Sequence, residues 1–173
     1  MTRRHLTFLC EGDRLAATLD EGEKTTGLLL VTGGNEIRSG AFSGQASLAA
    51  SLAEQGFPVF RFDRRGVGDS EGFNRGFRDE EADIRAALAA FREAAPQVSR
   101  VVGFGNCDAA SALMLAGGAG CDALVLSNPW TIEEASDGGD TSAADTTPPA
   151  SAIRARYMAK LKNPREIARL LSG

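Results

Sequence analysis

Short, mostly apolar runs alternate with helix-patterned segments along most of this chain, and this alternation constrains the fold more than any other feature. The predicted strands are 27–31, 57–63, 98–104 and 123–126. The predicted helices are 42–54, 79–95 and 108–116. Strands and helices that alternate in this way form a mostly parallel sheet with helices on both faces, so the sequence predicts an α/β fold.

Three further predictions complete this outline. Residues 5–10 and 14–19 are typical of two strands joined by a turn, so an antiparallel hairpin is expected at the N-terminus. The run 123–126 is expected to be one more buried strand. The apolar face predicted for the first helix consists of Phe42, Ala46, Leu48, Ala49, Leu52 and Ala53.

Composition excludes several classes of partner. The 173 residues carry a net charge of −4 and are 43% hydrophobic, which fits a globular domain and argues against nucleic acid or an anionic membrane as the main partner. No apolar run approaches the ~20 residues of a membrane span, and the N-terminus lacks the pattern of a signal peptide. Cys10, Cys107 and Cys121 lack metal-ligand spacing, so we expect no metal, no other cofactor and a reducing, cytoplasmic setting.

One turn carries the pattern of a catalytic nucleophile. The strand 98–104 runs into Gly105-x-Cys107-x-Ala109, and a small-residue helix follows at once. A nucleophile at a strand-to-helix corner sits in strained backbone and needs small residues two before and two after it. The helix then points its N-terminal N–H groups at the reacting centre.

Two other interpretations of this turn stay open. Cys107 fits an ordinary buried thiol, since cysteine is among the most buried residue types. Gly103-x-Gly105 also begins a dinucleotide-binding G-x-G-x-x-G, but Asp108 stands where its third glycine belongs. Ligand sites in parallel sheets lie beyond the carboxyl ends of the strands. The loops 32–35 and 63–70 are expected at that same edge, which favours a functional Cys107.

The amino-acid composition of the chain changes after Trp130. Residues 134–151 are rich in small and polar residues without an apolar period and predict a mobile loop. Two helices are expected after it, at 152–162 and 164–171. The chain therefore divides into a core, 1–130, and a segment, 131–173, whose helices form either a lid over the strand ends or plain packing on the sheet.

Three motifs in the core resemble the alpha/beta-hydrolase superfamily. Gly33-Gly34-Asn35 resembles the oxyanion loop after the third strand of that fold. The loop Asp63-x-Arg65-Gly66-x-Gly68-x-Ser70 resembles the one after the fourth strand. Gly105-x-Cys107-x-Ala109 resembles the nucleophile elbow, with cysteine in place of the usual serine.

The chain is more closely similar to the bacterial exosortase A system-associated hydrolases of type 1. The resemblance rests on the runs 33–40, 61–63, 106–112 and 128–130. It implies a hydrolase linked to exopolysaccharide and sorting-signal gene clusters, without a defined substrate.

The resemblance also implies a set of site residues. Cys107 would attack an acyl carbonyl of a small-molecule ester, thioester or other acyl substrate. The oxyanion would be held by the backbone N–H of Asp108 and that of Gly34 or Asn35. The candidates for substrate binding are Arg38, Arg65 and Trp130. For each of them, the alternative is a solvated or packing role. Asp63, Gly66 and Gly68 are expected to shape a turn.

The sequence departs from the superfamily pattern near its end. The last two strands of the superfamily sheet, whose loops carry the catalytic acid and histidine, have no counterpart before Gly173. The single histidine, His5, lies in the first predicted strand and matches no motif. The run 123–126 would then be an exposed sheet edge that invites self-association.

Two functions are consistent with this pattern. The first is a cysteine-dependent hydrolase or acyl-transfer enzyme, for which we expect weak or no turnover. The alternative is a non-catalytic α/β module that binds an acyl ligand or a partner protein, because no triad histidine follows the elbow.

Overall fold

The structure, a computed structural model, describes residues 2–130, and these residues form one six-stranded sheet with helices. The strands are β1 (Arg3–Cys10), β2 (Asp13–Asp20), β3 (Thr26–Val31), β4 (Val59–Phe62), β5 (Arg100–Asn106) and β6 (Ala123–Ser127). The helices are α1 (Gly44–Glu54), α2 (Glu81–Ala94) and α3 (Asp108–Leu115). Two 3-10 turns, Ala41–Ser43 and Phe77–Asp79, precede α1 and α2.

The strands lie in the order β1-β2-β4-β3-β5-β6. The hairpin β1–β2 is antiparallel and joins the rest through an antiparallel pairing of β2 with β4. The pairs β3–β4, β3–β5 and β5–β6 are parallel. Val31 pairs with Gly105 and Leu30 with Arg61, so the loops after β3, β4 and β5 leave the sheet at the same edge.

Helices cover both faces of the sheet. α2 and α3 bury the larger core, in which Phe91 stacks on Phe60 at 5.3 Å between ring centroids. α1 buries a smaller cluster on the opposite face, where Ala49 meets Leu30 and Val59. The predicted α/β fold, mostly parallel with an N-terminal antiparallel hairpin, is confirmed.

Two burial predictions are wrong. Phe42 does not belong to the apolar face of α1, because the helix begins at Gly44 and Phe42 stands fully exposed in the preceding turn with φ of 52°. The strand β6 is not buried, which agrees with the alternative expectation of an exposed sheet edge: 37% of Leu124 and 49% of Val125 are exposed. In the described part of the chain β6 pairs with β5 alone and is an edge strand, so fewer neighbours cover it.

The predicted loop and helices of 131–173 lie outside the described residues, so the division of the chain at residue 130 stays a prediction. Within residues 2–130, no helix combines the length and the hydropathy that crossing a bilayer requires.

Candidate functional site

Cys107 occupies a strained corner between β5 and α3. It follows Asn106, the last residue of β5, and precedes Asp108, the first residue of α3. Its φ of 57° and ψ of −122° lie in a region that non-glycine residues rarely adopt. The Cys107 N–H donates to the carbonyl of Ser127 at 3.0 Å, and its carbonyl accepts the N–H of Ala110 at 3.0 Å. The neighbouring strand and helix thus hold the corner in place.

The small residues around Cys107 are required by close backbone contact. A Cβ atom on Gly105 would lie 2.6 Å from the carbonyl carbon and oxygen of Ala109. Ala109 is itself fully buried. Only glycine at position 105 allows the first turn of α3 to pack back on the end of β5, and this packing gives the corner its sharpness.

The three cysteines have different surroundings. The Cys107 side chain is partly exposed, and its Sγ lies 3.5 Å from Oδ1 of Asp108. Cys10 is buried, with its Sγ 3.5 Å from Oδ1 of Asp83, and burial together with the Asp83 charge raises the pKa of its thiol to about 11. Burial also raises the pKa of the Cys121 thiol. Cys10 and Cys121 are therefore poor nucleophiles near neutral pH.

The loop after β3 lies directly against the elbow. A Cβ atom on Gly33 would stand 3.1 Å from Cβ of Asp108 and 3.2 Å from the backbone nitrogen of Ala109. The loop turns back through a hydrogen bond from the N–H of Glu36 to the carbonyl of Gly33 at 3.0 Å. The loop and the start of α3 therefore form one continuous surface beside Cys107.

Backbone donors beside this surface lack acceptors among the described residues. Among residues 2–130, no hydrogen bond uses the N–H of Gly34, Asn35 or Asp108. Gly34 and Asn35 are exposed, whereas Asp108 is partly buried. Free backbone N–H groups at a helix N-terminus and an adjacent loop suit an anion that develops between them.

A buried arginine supports the loop from behind. Arg64 is 2% exposed, and its Nη2 donates to the carbonyl oxygen of Gly34. The side-chain amide of Asn74 donates to the side-chain oxygen of Asn35 at 2.9 Å and lies 3.4 Å from the carbonyl of Gly34. The loop is thus attached to the segment that follows β4.

The other side of Arg64 faces a buried carboxylate. Nη1 of Arg64 forms an ion pair with Oε1 of Glu80, which is 3% exposed. Burial raises the pKa of Glu80 to about 8; Arg64 opposes this rise, and the charges of Asp83 and Asp108 add to it. Glu80 therefore holds its proton at pH values where an exposed glutamate has lost it.

Asp63 organises the loop after β4. Its carboxylate accepts the backbone N–H of Arg38 at 2.6 Å and that of Asp69 at 3.1 Å, and it forms an ion pair with the guanidinium of Arg38. A Cβ atom on Gly68 would lie 2.3 Å from Oδ2 of Asp63. A glycine at position 68 lets the chain wrap around the carboxylate, so these residues do shape a turn.

The two arginines predicted to meet substrate both form ion pairs inside the fold. Arg38 contacts Asp63 and, through Nη2, Asp69 at 2.9 Å. Arg65 is 6% exposed; its Nε lies 2.5 Å from Oδ1 of Asp83, and its Nη1 contacts Glu11. These carboxylates account for the charge of both guanidinium groups. Substrate binding by either arginine stays a prediction.

Trp130 lies close to the elbow and borders an apolar hollow. The backbone N–H of Trp130 donates to the carbonyl of Cys107, with 3.4 Å between nitrogen and oxygen, and the Trp130 carbonyl accepts the hydroxyl of Ser111 at 2.5 Å. Trp130 is 52% exposed. The hollow has a volume of about 270 Å³ and its apolar lining includes Phe77, Met114, Leu115, Pro129 and Trp130.

His5 lies far from the elbow. It is on β1, and its Nδ1 lies 3.2 Å from the hydroxyl of Thr18 on β2. The strands β2, β4 and β3 separate β1 from β5. At about 4.8 Å per strand, the two strands are roughly 19 Å apart. The described residues therefore bring no histidine to Cys107, and within them no group of three or more metal-ligating side chains converges.

Sequence reasoning missed Arg64, Asn74 and Glu80. Arg64 stands in a motif that indicates a turn, and Glu80 opens an ordinary amphipathic helix. No local signal links them, because their partners are distant in the chain. Gly34 is 30 positions from Arg64.

Comparison with known proteins agrees with this geometry. The family model described as "Serine aminopeptidase, S33" (Hydrolase_4) matches residues 23–169. No curated protein shows significant sequence similarity to the chain.

Solved structures with the same fold are distant in sequence. The α/β hydrolase GrgF from Penicillium sp. sh18 matches with a TM-score of 0.64 at 21% identity, over 75% of this chain and 46% of that one. An esterase from Pyrococcus furiosus matches with a TM-score of 0.56 at 21% identity, over 64% and 42%. A serine hydrolase without a lid from Xanthomonas campestris matches with a TM-score of 0.59 at 21% identity, over 73% and 61%.

This chain thus spans about half the length of the solved structures it matches. The likeness establishes the fold, and the family match covers most of the chain. The chain belongs to the serine aminopeptidase S33 (Hydrolase_4) family of α/β hydrolases.

Proposed function

We propose that Cys107 is the nucleophile of an acyl-transfer reaction on an ester, a thioester or another small acyl substrate. The observation that carries the proposal is the surroundings of this residue. A partly exposed thiol stands at a strained strand-to-helix corner, beside backbone N–H groups that have no acceptor among residues 2–130. Strained nucleophiles beside free N–H donors are typical of acyl-transfer enzymes.

The first step is attack by the Cys107 sulfur on the substrate carbonyl carbon. A C–S bond forms, and the carbonyl oxygen becomes an oxyanion that the N–H groups of Asp108 and of Gly34 or Asn35 stabilise. Collapse of this intermediate breaks the bond to the alcohol or thiol, which leaves with the proton given up by Cys107. The product is an acyl-cysteine.

The second step is hydrolysis of the acyl-cysteine by water. The hydroxyl of water bonds to the acyl carbon, the acid leaves, and the proton returns to the sulfur of Cys107. Since the described residues bring no histidine to Cys107, we expect this step to be slow and the acyl-cysteine to accumulate.

Acylation by p-nitrophenyl butyrate, followed by intact mass at pH 7, tests the proposal. We expect one butyryl group at Cys107, formed at least about 10-fold faster than at Cys10 or Cys121, whose thiols have raised pKa values. Cys107→Ala removes the fast adduct, and Cys107→Ser replaces it with a slower ester. Equal rates at all three cysteines would refute the proposal.

The residues around the elbow support a secondary role for Trp130. We propose that it lines the acyl site, since its backbone contacts Cys107 and its indole borders the apolar hollow.

We also propose a link to bacterial exosortase and exopolysaccharide systems and a location in the cytoplasm. The run 33–40 and the segment Asn128-Pro129-Trp130 support that link. A change in exopolysaccharide acylation in a strain carrying Cys107→Ala would test it.

A non-catalytic acyl-binding module is the second candidate function, and the distance of His5 from the elbow favours it. This role predicts that p-nitrophenyl butyrate fails to acylate Cys107, while a stable acyl ligand such as butyramide protects Cys107 from alkylation by iodoacetamide. Absence of both effects would exclude both functions.

The exposed strand β6 supports self-association. Leu124 and Val125 are exposed on a strand that pairs with β5 alone in the described part of the chain. Unpaired apolar edges recruit a further strand. Sedimentation that remains monomeric at high protein concentration would contradict this proposal.

A further inference from the structure

The carbonyl of Gly34 is held from inside the protein while the other side of the loop is free. Arg64 is 2% exposed and donates to this carbonyl, whereas Gly34 and Asn35 are exposed. The loop is therefore fixed on its inner side by a charged donor and open on its outer side.

The contact between Arg64 and the Gly34 carbonyl also fixes the direction of the Asn35 N–H. The Gly34 carbonyl and the Asn35 N–H belong to one peptide group, and no described peptide bond is cis. In a trans peptide these two groups point in opposite directions. Since the carbonyl points inward to Arg64, the N–H of Asn35 points outward, away from the buried guanidinium.

We propose that Arg64 is a positioning residue of the oxyanion hole: by binding the Gly34 carbonyl it sets the plane of the peptide between Gly34 and Asn35. The inference rests on the proposed acyl transfer to Cys107. Arg64 does not touch the substrate or the sulfur. It acts through the loop backbone, whose free N–H groups meet the developing oxyanion.

The contacts of Arg64 are those expected of a residue that supports the loop. A purely structural salt bridge would use all the hydrogen-bonding groups of both partners. Within residues 2–130, Nε of Arg64 and both carboxylate oxygens of Glu80 lack a well-aligned hydrogen bond. The guanidinium thus makes one bond to the loop and one ion pair to Glu80. Asn74, which is exposed, adds a second contact to the same peptide.

Two reactions at the Cys107 sulfur distinguish a positioning role of Arg64 from an effect on protein stability alone. Acylation by p-nitrophenyl butyrate passes through an oxyanion. Alkylation by iodoacetamide proceeds by displacement at a saturated carbon and forms none. The ratio of the two rates at Cys107, measured by intact mass at pH 7, therefore reports the oxyanion hole and cancels effects on exposure of the thiol.

The variants are Arg64→Gln, Arg64→Lys, Asn74→Ala and the control Arg61→Gln. Arg61 is equally buried and binds another carbonyl of the connection between β3 and α1, that of Arg38, at 2.7 Å. Arg64→Lys keeps a cation opposite Glu80 and carries the test if Arg64→Gln does not fold. Asn74→Ala removes only exposed contacts.

We expect Arg64→Gln to lower the acylation rate about 10- to 100-fold and to leave alkylation within about 2-fold. Arg64→Lys should recover part of the loss, and Asn74→Ala should cost about 2- to 5-fold in acylation. Arg61→Gln should leave the ratio unchanged. An Arg64 variant that slows both reactions equally, or neither, would overturn the positioning role. A wild type that acylates Cys107 no faster than Cys10 would instead refute the proposed function itself, and the role of Arg64 with it.

Discussion

Arg61 and Arg64 are three residues apart and equally buried, yet their surroundings differ. Arg61 donates through Nε and Nη2 to Asp20, at 3.2 and 2.9 Å, and through Nη1 to the carbonyl of Arg38. Asp20 is paired a second time, by Arg3 at 2.6 Å. Arg64 makes one bond to Gly34 and one ion pair to Glu80.

The difference distinguishes a region in which the buried charges are fully paired from one in which they are not. Around Arg61 the two carboxylate oxygens of Asp20 are both bound by arginine, so the buried charges compensate one another. Around Arg64, Glu80 lies near the carboxylates of Asp83 and Asp108, and its pKa rises to about 8. Incompletely paired groups in native structures cluster at functional sites, and Arg64 lies against the loop that we propose as part of the oxyanion hole.

The largest expected effect is the loss of Asp20. Asp20→Ala leaves Arg61 buried without its carboxylate, so we expect the free energy of unfolding to fall by about 3–5 kcal/mol in urea titrations. At pH 7 and below, Glu80→Ala should cost clearly less, because Glu80, whose pKa rises to about 8, is then largely protonated and compensates little of the Arg64 charge. Equal losses in the two variants would contradict the contrast between the two arginines.

The second effect is a pH dependence that originates at Glu80. Its folded-state pKa of about 8 lies above the ordinary value of 4.5, so the folded protein retains a proton that the unfolded chain has lost. The associated stability is fully present below about pH 4.5 and is lost as pH rises through about 8. Between pH 6 and 9 the wild type should therefore lose about 3 kcal/mol from this group.

Glu80→Gln isolates this contribution, because glutamine does not ionise and keeps the shape of the side chain. Subtracting its unfolding curve from that of the wild type, at each pH, removes the titration of all other groups. A difference that stays constant from pH 6 to 9 would show that Glu80 titrates in its ordinary range.

The smallest effect concerns a third arginine of the same region. Arg38 pairs with the buried Asp63 and with Asp69, whose side chain is 73% exposed. Exposed ion pairs contribute little, so Asp69→Asn should change the free energy of unfolding by about 0.5 kcal/mol or less. A thermal unfolding scan in low and high salt measures it. A loss near that of Asp20→Ala would mean that the exposure of an ion pair in this region does not determine its contribution to the free energy of unfolding.

Local patterns were sufficient for the elements and for the elbow. The apolar run into β5, the glycine at 105 and the small residues of α3 predict a sharp corner at Cys107, and the structure has it. These signals lie within a few residues of one another, because backbone propensity and side-chain spacing act over a single turn or strand. The same reasoning was wrong for Phe42, since the positive φ values of Phe42 and Ser43 start α1 two residues later than the apolar pattern indicates.

The sequence alone thus determined the α/β class, the hairpin and the position of Cys107 beside a glycine-rich loop. Only the tertiary structure decided that His5 lies four strands from the elbow, and only it decided between the buried and the exposed alternatives expected for β6. It also decided that Arg64 joins Gly34 to Glu80. The physical reason is that strand order and buried ion pairs depend on contacts between residues far apart in the chain, and a single sequence carries no local pattern for such contacts.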